Sequence, residues 1–219
     1  MTVRIHPTAI VEANVSLGPG TSVWDNAHIR RDTKIGAECI IGGKATIAYG
    51  VTIGNRVKLN SLVYICHGVT IEDGVMVSAG TIFTNDRFPR AATNDLSALR
   101  SSDPDEHTQL TLVRAGATIG AGCIIGSNLE IGRFAMIGMG AVVTRSVPDF
   151  HLVLGNPARS IGCVCRCGEP LARWDDGDSP GKIFCSVCGL PYEIVSRIVR
   201  ELAPPDSSSA AALSKQGSV

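Results

Sequence analysis

Residues 23–53 read VWDNAHIRRDTKIGAECIIGGKATIAYGVTI, with an apolar residue at every sixth position: Val23, Ile29, Ile35, Ile41, Ile47 and Ile53. The series continues in both directions without a break, back through Leu17 and Val11 to Ile5 and forward through Leu59, Ile65, Ile71 and Val77 to Phe83. With 44% hydrophobic residues in the chain, fourteen successive hits in one register have a chance probability on the order of 10⁻⁵. A second series two positions earlier is small or β-branched, as at Ala9, Ala27, Thr33, Cys39, Ala45 and Val51. Residues i and i+2 point to the same side of an extended chain, so each hexad supplies one short strand and one corner. A single unit cannot bury its apolar side, but stacked copies bury a continuous core.

The period breaks after Phe83 and resumes at Val113, Ile119, Ile125, Ile131, Ile137 and Val143. The intervening residues 84–111 are polar, carry Pro89 and Pro104, and form a long loop inside an otherwise regular repeat. Such loops are usually functional, although insertions are also tolerated. The 219 residues carry 20 basic and 20 acidic side chains, a formal net charge of zero. No overall field therefore attracts nucleic acid or an anionic membrane. No apolar run suggests a membrane span or signal peptide, and five of the eight cysteines crowd between Cys163 and Cys188. These features predict a cytoplasmic protein with one ordinary domain and a small metal-bound appendage.

The hexads resemble the hexapeptide-repeat, left-handed β-helix acyltransferases, in which three hexads form one triangular coil of 18 residues. The predicted fold is all-β: residues 1–162 as the β-helix with loop 84–111 extruded. The exit segment GNPAR (155–159) resembles acyl-CoA-dependent members. The string TNDRFPRA (84–91), with its flanking coils, looks like the N-acetyltransferases of nucleotide-linked 3-amino sugars. The nearest type acts on UDP-2-acetamido-3-amino-2,3-dideoxyglucuronate. The resemblance covers about residues 5–161 and implies acetyl-CoA as co-substrate, a homotrimer, and a place in surface-polysaccharide (lipopolysaccharide) precursor synthesis. It also implies a pantetheine path along Gly132, Gly138, Gly140 and Ala141, with Arg145 and Arg159 meeting the CoA phosphates.

Counting by 18 places Tyr49, His67 and Asn85 in one column at a corner, with adjacent members about 4.8 Å apart. The chemistry implied is attack of a sugar amine on an acyl thioester, which must shed a proton. A free histidine titrates near pH 6.5, so His67 could take that proton, could only touch substrate, or could be structural. The Asn85 amide could accept from the amine and orient it, but an amide is no base; a turn-capping role is its alternative. Arg87 and Arg90 match a sugar carboxylate or diphosphate, or else pair with Asp86 or Asp95 in a solvated loop. His6, His28, His107 and His151 share no column, which argues against the three-histidine zinc site of γ-class carbonic anhydrases. Two other readings stay open: the same fold with another acceptor, and a non-catalytic β-helical scaffold.

After Ile161, a CxCG at Cys165–Cys167 and a CxxCG at Cys185–Cys188 pair as knuckles. Four thiolates satisfy tetrahedral zinc, so residues 163–191 read as a structural zinc ribbon, with Cys163 as a spare and a redox pairing as the alternative. The linker with Trp174, Asp175, Asp176 and Asp178 is expected to form the ribbon's other hairpin. Ile194, Val195, Ile198, Val199 and Leu202 predict an amphipathic helix over 192–203, and residues 204–219 read as a disordered tail.

Overall fold

The computed structural model describes residues 2–174 and 181–205. Each predicted hexad folds as a two- or three-residue strand, and the strands stack into three parallel sheets that wind as a β-solenoid. The register is the predicted one: Arg4 pairs with Ser22, Ile10 with His28, and Ser16 with Lys34. Each of these steps is eighteen residues. One sheet runs from Arg4–Ile5 up to Met136–Ile137 and His151–Leu154; the second ends at Val142–Val143 and the third at Glu130–Ile131. Ile29, Ile41, Ile47, Leu59, Ile65, Ile119 and Ile125 are fully buried, as are the small partners Ala27, Cys39, Ala45 and Cys123. A branched residue from one side and a small one from the next fill the triangular interior to core density.

Glycine serves this coil by letting neighbouring coils approach closely. The glycines that follow the large inward residue mark close approach rather than corners: a Cβ on Gly18 would lie 2.5 Å from backbone atoms of Gly36 and Ala37. The left-handed corner residue comes two positions later and is often not glycine, as at Asp32 (φ 61), Lys44 (φ 60) and Arg56 (φ 54).

The loop leaves the coil after Ile82–Phe83 and returns at Thr111–Val113, so Ile82 pairs directly with Ile124 across it. Within the loop, bridges join Asp86 to Thr108 and Ala92 to Leu99. The Arg100 amide donates to the Ala91 carbonyl (3.0 Å), closing a hairpin whose two legs begin and end in arginine.

At the far end, His151–Leu154 pairs antiparallel with Arg159–Val164, which pairs with Pro170–Arg173. A second sheet of three antiparallel strands follows: Gly181–Phe184, Pro191–Val195 and Ile198–Glu201. The predicted helix over 192–203 is therefore a β-hairpin. Ile194 and Val199 face each other as a cross-strand pair, both buried, while Ser196 (φ 48) and Arg197 (φ 64) make the tight turn. Four β-branched residues around a left-handed turn favour strands over a helix. Trp174 ends the described part of the linker; Asp175, Asp176 and Asp178 lie outside the described residues, as does the predicted tail beyond 205.

These elements close the C-terminal end of the solenoid around a second apolar cluster of Phe150, Cys163, Tyr192, Ile194 and Val199. A hydrogen-bonded relay joins cap and coil. Trp174 Nε1 donates to Ser160 Oγ (2.8 Å), Ser160 lies 2.8 Å from His151 Nδ1, and His151 Nε2 lies 2.9 Å from the Arg197 carbonyl. The carbonyl can only accept, so Nε2 carries the hydrogen and Nδ1 accepts from Ser160: a neutral imidazole satisfies every partner. Burial pushes the His151 pKa below 6.5. The unfolded chain thus takes the proton at higher pH than the folded one. The stability this residue lends is present above pH 6.5 and lost as the pH falls through the lower folded value. Thermal melts from pH 8 to pH 5 should show the gap between wild type and His151→Gln narrowing with acidity. A constant gap would refute the relay as described.

Candidate functional site

The corner between the second and third sheets carries the predicted column, and the side chains touch. His67 Nδ1 is 2.9 Å from the Tyr49 carbonyl one coil below. The Tyr49 and His67 rings stack at 4.6 Å between centroids, 23° from parallel. Asn85 Nδ2 donates to the His67 carbonyl (3.1 Å), and the Gln109 amide donates to the Asn85 carbonyl (2.8 Å), tying the loop's two ends together over the column. The same logic fixes the imidazole: Nδ1 must donate to the Tyr49 carbonyl, which leaves the Nε2 lone pair free. Asn85 spends its NH₂ on the backbone, so the atom it can offer an amine is Oδ1. Neighbouring Cys66 is buried and its thiol is pushed up to about 12, by burial first and the Asp86 carboxylate in addition, so it is no nucleophile.

A polar cavity of about 240 Å³ opens at the top of this column, lined by Tyr49, Asn85, Asp86, Arg90, Arg100 and Asp103 among others. The structure separates the two predicted loop arginines. Arg90 lines the cavity, with its guanidinium donating to the Pro89 carbonyl (2.8 Å). Arg87 lies over its neighbour Phe88 and does not line the cavity. Among the described residues neither forms an ion pair with Asp86 or Asp95. Arg100, which spacing could not single out, faces Arg90 from the other leg of the hairpin and meets Asp105 at 3.7 Å.

The predicted CoA path needs correction. Ala141 is fully buried in the core, because it occupies the small inward position of its hexad. A Cβ on Gly138 would lie 1.8 Å from Leu154 Cδ2, so Gly138 makes room for that side chain. Gly140 stays exposed, as do Arg145 and Arg159. Ala141 accordingly offers no side-chain surface to a ligand.

At the cap, the Sγ atoms of Cys165, Cys167, Cys185 and Cys188 all lie within 4.8 Å of one another. Cys165 and Cys188 are 3.3 Å apart, Cys167 and Cys185 3.6 Å. A zinc tetrahedron with bonds of about 2.3 Å has edges of about 3.8 Å, so the four thiols fit the ion. Each knuckle closes in a turn on its glycine: the Gly168 amide donates to the carbonyl of Cys165 three residues back (2.9 Å), and the Gly189 amide to that of Cys185 four residues back (3.0 Å). Gly168 (φ 93) and Gly189 (φ 73) hold the left-handed conformation that this turn requires. The Cys188 amide, first among its neighbours, draws the Cys185 thiol down to about 6. Cys163 lies outside the cluster, fully buried, and burial raises it to about 11.

Residues 14–49 and 50–85 match the family model described as bacterial transferase hexapeptide (six repeats). Over 92 residues the chain is 42% identical to the dTDP-3-amino-3,6-dideoxy-alpha-D-galactopyranose 3-N-acetyltransferase of Aneurinibacillus thermoaerophilus, covering 42% of this chain and 45% of that one. It is 34% identical over 123 residues to the serine acetyltransferase of Escherichia coli (strain K12), covering 52% of this chain and 44% of that one. The chain thus spans less than half the length of these curated relatives. Among solved structures, a variant of the N-acyltransferase AntD from Bacillus cereus, in complex with dTDP and coenzyme A, superposes with a TM-score of 0.58 at 24% identity, covering 69% of this chain and 85% of that one. That likeness shows the fold. No helix among the described residues is long and apolar enough to cross a membrane. Repeat, register and coil agree on a hexapeptide-repeat β-solenoid, and residues 14–85 are similar to the bacterial transferase hexapeptide family.

Proposed function

We propose that this chain is an acetyl-CoA-dependent N-acetyltransferase whose acceptor is a 3-amino sugar carried on a nucleoside diphosphate, a precursor of surface polysaccharide. One observation carries the reading. His67, just outside the cavity lining, is locked with Nδ1 on the Tyr49 carbonyl and Nε2 free, directly beneath Asn85, which lines a cavity holding two arginines. Asn85 Oδ1 accepts from the sugar amine and aims its lone pair at the thioester carbonyl carbon. The C–N bond forms as the carbonyl electron pair moves to oxygen, and Nε2 of His67 takes the proton the nitrogen sheds. Collapse of the tetrahedral oxyanion breaks the C–S bond, and that proton completes free CoA thiol. Positioning supplies much of the rate, since the amine is intrinsically nucleophilic once neutral. Arg90 serves the anionic part of the acceptor. Arg145 and Arg159 are the exposed cations for the CoA phosphates. The relatives named above support this choice of acceptor and donor.

The chain is read as acting as a homotrimer. The outward side of the second sheet places Tyr64, Ile82 and Ile124 on successive strands, an apolar strip suited to a neighbouring copy. The four-cysteine cluster is read as a structural zinc site, closed by its four thiolates and leaving no open position for substrate. The likeness to a serine acetyltransferase favours, as a second reading, transfer to a hydroxyl acceptor.

Thiol release from acetyl-CoA, measured against UDP- and dTDP-linked 3- and 4-amino sugars and against serine, separates these readings. Release with a 3-amino sugar is expected. Release with serine alone supports the second reading, and sugar-nucleotide binding without release from any acceptor supports a scaffold.

A further inference from the structure

The column extends one member further than its chemistry requires. Arg31 stands eighteen residues before Tyr49, and its guanidinium carbon lies 4.9 Å from the centre of the Tyr49 ring. Arg30, its neighbour, lies 5.2 Å from the same ring. The ring is therefore held between His67 on one coil and two guanidinium groups on the preceding one, and its residue also lines the loop cavity. A molecule reaching from the cavity past Tyr49 meets positive charge there.

The arginine corner is rigid and its charge is largely uncommitted. Glu12 accepts from the Arg31 amide (2.9 Å) and holds His28 at 2.7 Å, while Asn14 donates to Asp32 (3.1 Å), so the coil below fixes the turn. The guanidinium groups themselves meet carboxylates only at long range, Arg30 with Glu12 at 3.8 Å and Arg31 with Asp32 at 3.9 Å. Their side chains stay 40% and 54% exposed. Two planar donors fixed side by side, with open forks, match a diphosphate better than a lone carboxylate. From Asn85 back to Arg31 is three coils, about 14 Å at the spacing of neighbouring strands. A long side chain shortens that reach to the span between a sugar nitrogen and its nucleoside diphosphate.

We infer that Arg30 and Arg31 form a second anion subsite that takes the diphosphate of a nucleoside-diphosphate ligand, leaving Arg90 and Arg100 to the sugar end in the cavity. The assignment rests on the proposed acceptor for its orientation, but the binding it predicts is measurable without acetyl transfer. Calorimetric titration of the full chain with UDP and with dTDP, in the absence of acetyl-CoA, tests it. The Arg30→Ala/Arg31→Ala variant should bind at least tenfold more weakly than wild type, and Arg31→Lys, which keeps the charge without the fork, should fall between. UMP, with one phosphate fewer, should lose much less than UDP between wild type and the double variant. Because a disturbed corner could mimic this result, thermal melts accompany each variant, and Arg31→Lys decides if the double variant melts early. Unchanged UDP affinity in the double variant overturns the subsite. So does absent binding of either nucleotide by wild type, or a loss confined to Arg90→Ala. Nucleotide binding through Arg31 without thiol release from any amino sugar keeps the subsite and discards the acetyl transfer.

Discussion

Replacing His67 by Ala should lower kcat/KM for the amino-sugar acceptor by about 10²- to 10⁴-fold, the range a positioned general base contributes. That corresponds to about 3–5 kcal/mol of transition-state stabilisation. The fold should barely notice, because the side chain sits at a corner outside the core, and its one hydrogen bond to the Tyr49 carbonyl is worth about 1 kcal/mol. His67→Gln separates the base from a mere contact. An amide can hold the same hydrogen bond but cannot take a proton, so Gln should be nearly as slow as Ala; turnover within about threefold of wild type would sink the base assignment. Asn85→Ala should cost about 10²-fold in kcat, and combining it with His67→Ala should cost less than the product of the two, since both act on one nitrogen. Tyr49→Phe is the control: backbone carbonyl and stacked ring are both retained, so turnover should hold. If Asn85→Ala leaves kcat intact, the column is structural and the chemistry lies elsewhere.

Much of this was legible because the repeat turns position in sequence into position in space. Once every sixth residue points inward, a spacing of 18 stacks side chains on neighbouring coils, and Tyr49, His67 and Asn85 line up by counting alone. The same count carried one step back reaches Arg31, so that residue was within reach of sequence and needed only the extra step. Ala141 was equally readable: two residues before an inward Val143, it had to face the core. Arg100 was not, because its place opposite Arg90 depends on a hairpin with no period of its own. The C-terminal hairpin misled for a different reason. Apolar residues at i, i+1, i+4 and i+5 fit one side of a helix and also a strand, a two-residue turn and a strand. Here the turn falls on Ser196 and Arg197, neither of which announces a positive φ.

On the zinc reading, wild type should carry about one equivalent per chain, and Cys185→Ser should lose it and unfold the cap while sparing the solenoid. Four thiolates close a tetrahedral site, and a serine hydroxyl is a poor substitute for the missing one. Apart from the cysteines, the cap is held by a small apolar cluster and a few polar ties. Its apolar cluster contains two of the four ligands, Cys165 and Cys185, so the metal and the core are one structure. Tyr192, fully buried, places its hydroxyl 3.1 Å from Cys165 Sγ and accepts from the Arg166 amide at the same distance. Arg166 in turn lies over Phe134 of the last coil and pairs with Glu201, which also reaches Arg133 at 3.5 Å. Loss of the ion therefore removes the anchor of the cap at the coil it covers. In zinc-finger peptides the structural ion supplies about 10–16 kcal/mol of apparent binding free energy at neutral pH, which is folding free energy. The solenoid core is separate and needs none of it. Limited proteolysis of Cys185→Ser, or of wild type treated with a strong chelator, should cut within residues 165–201 and leave the repeat intact. Cys163→Ala should keep its zinc and its resistance, because Cys163 pairs with Ala172 across the strands and is not one of the four clustered thiols. Equal resistance with and without the ion would mean that the apolar cluster suffices, and that the four cysteines serve a redox pairing instead.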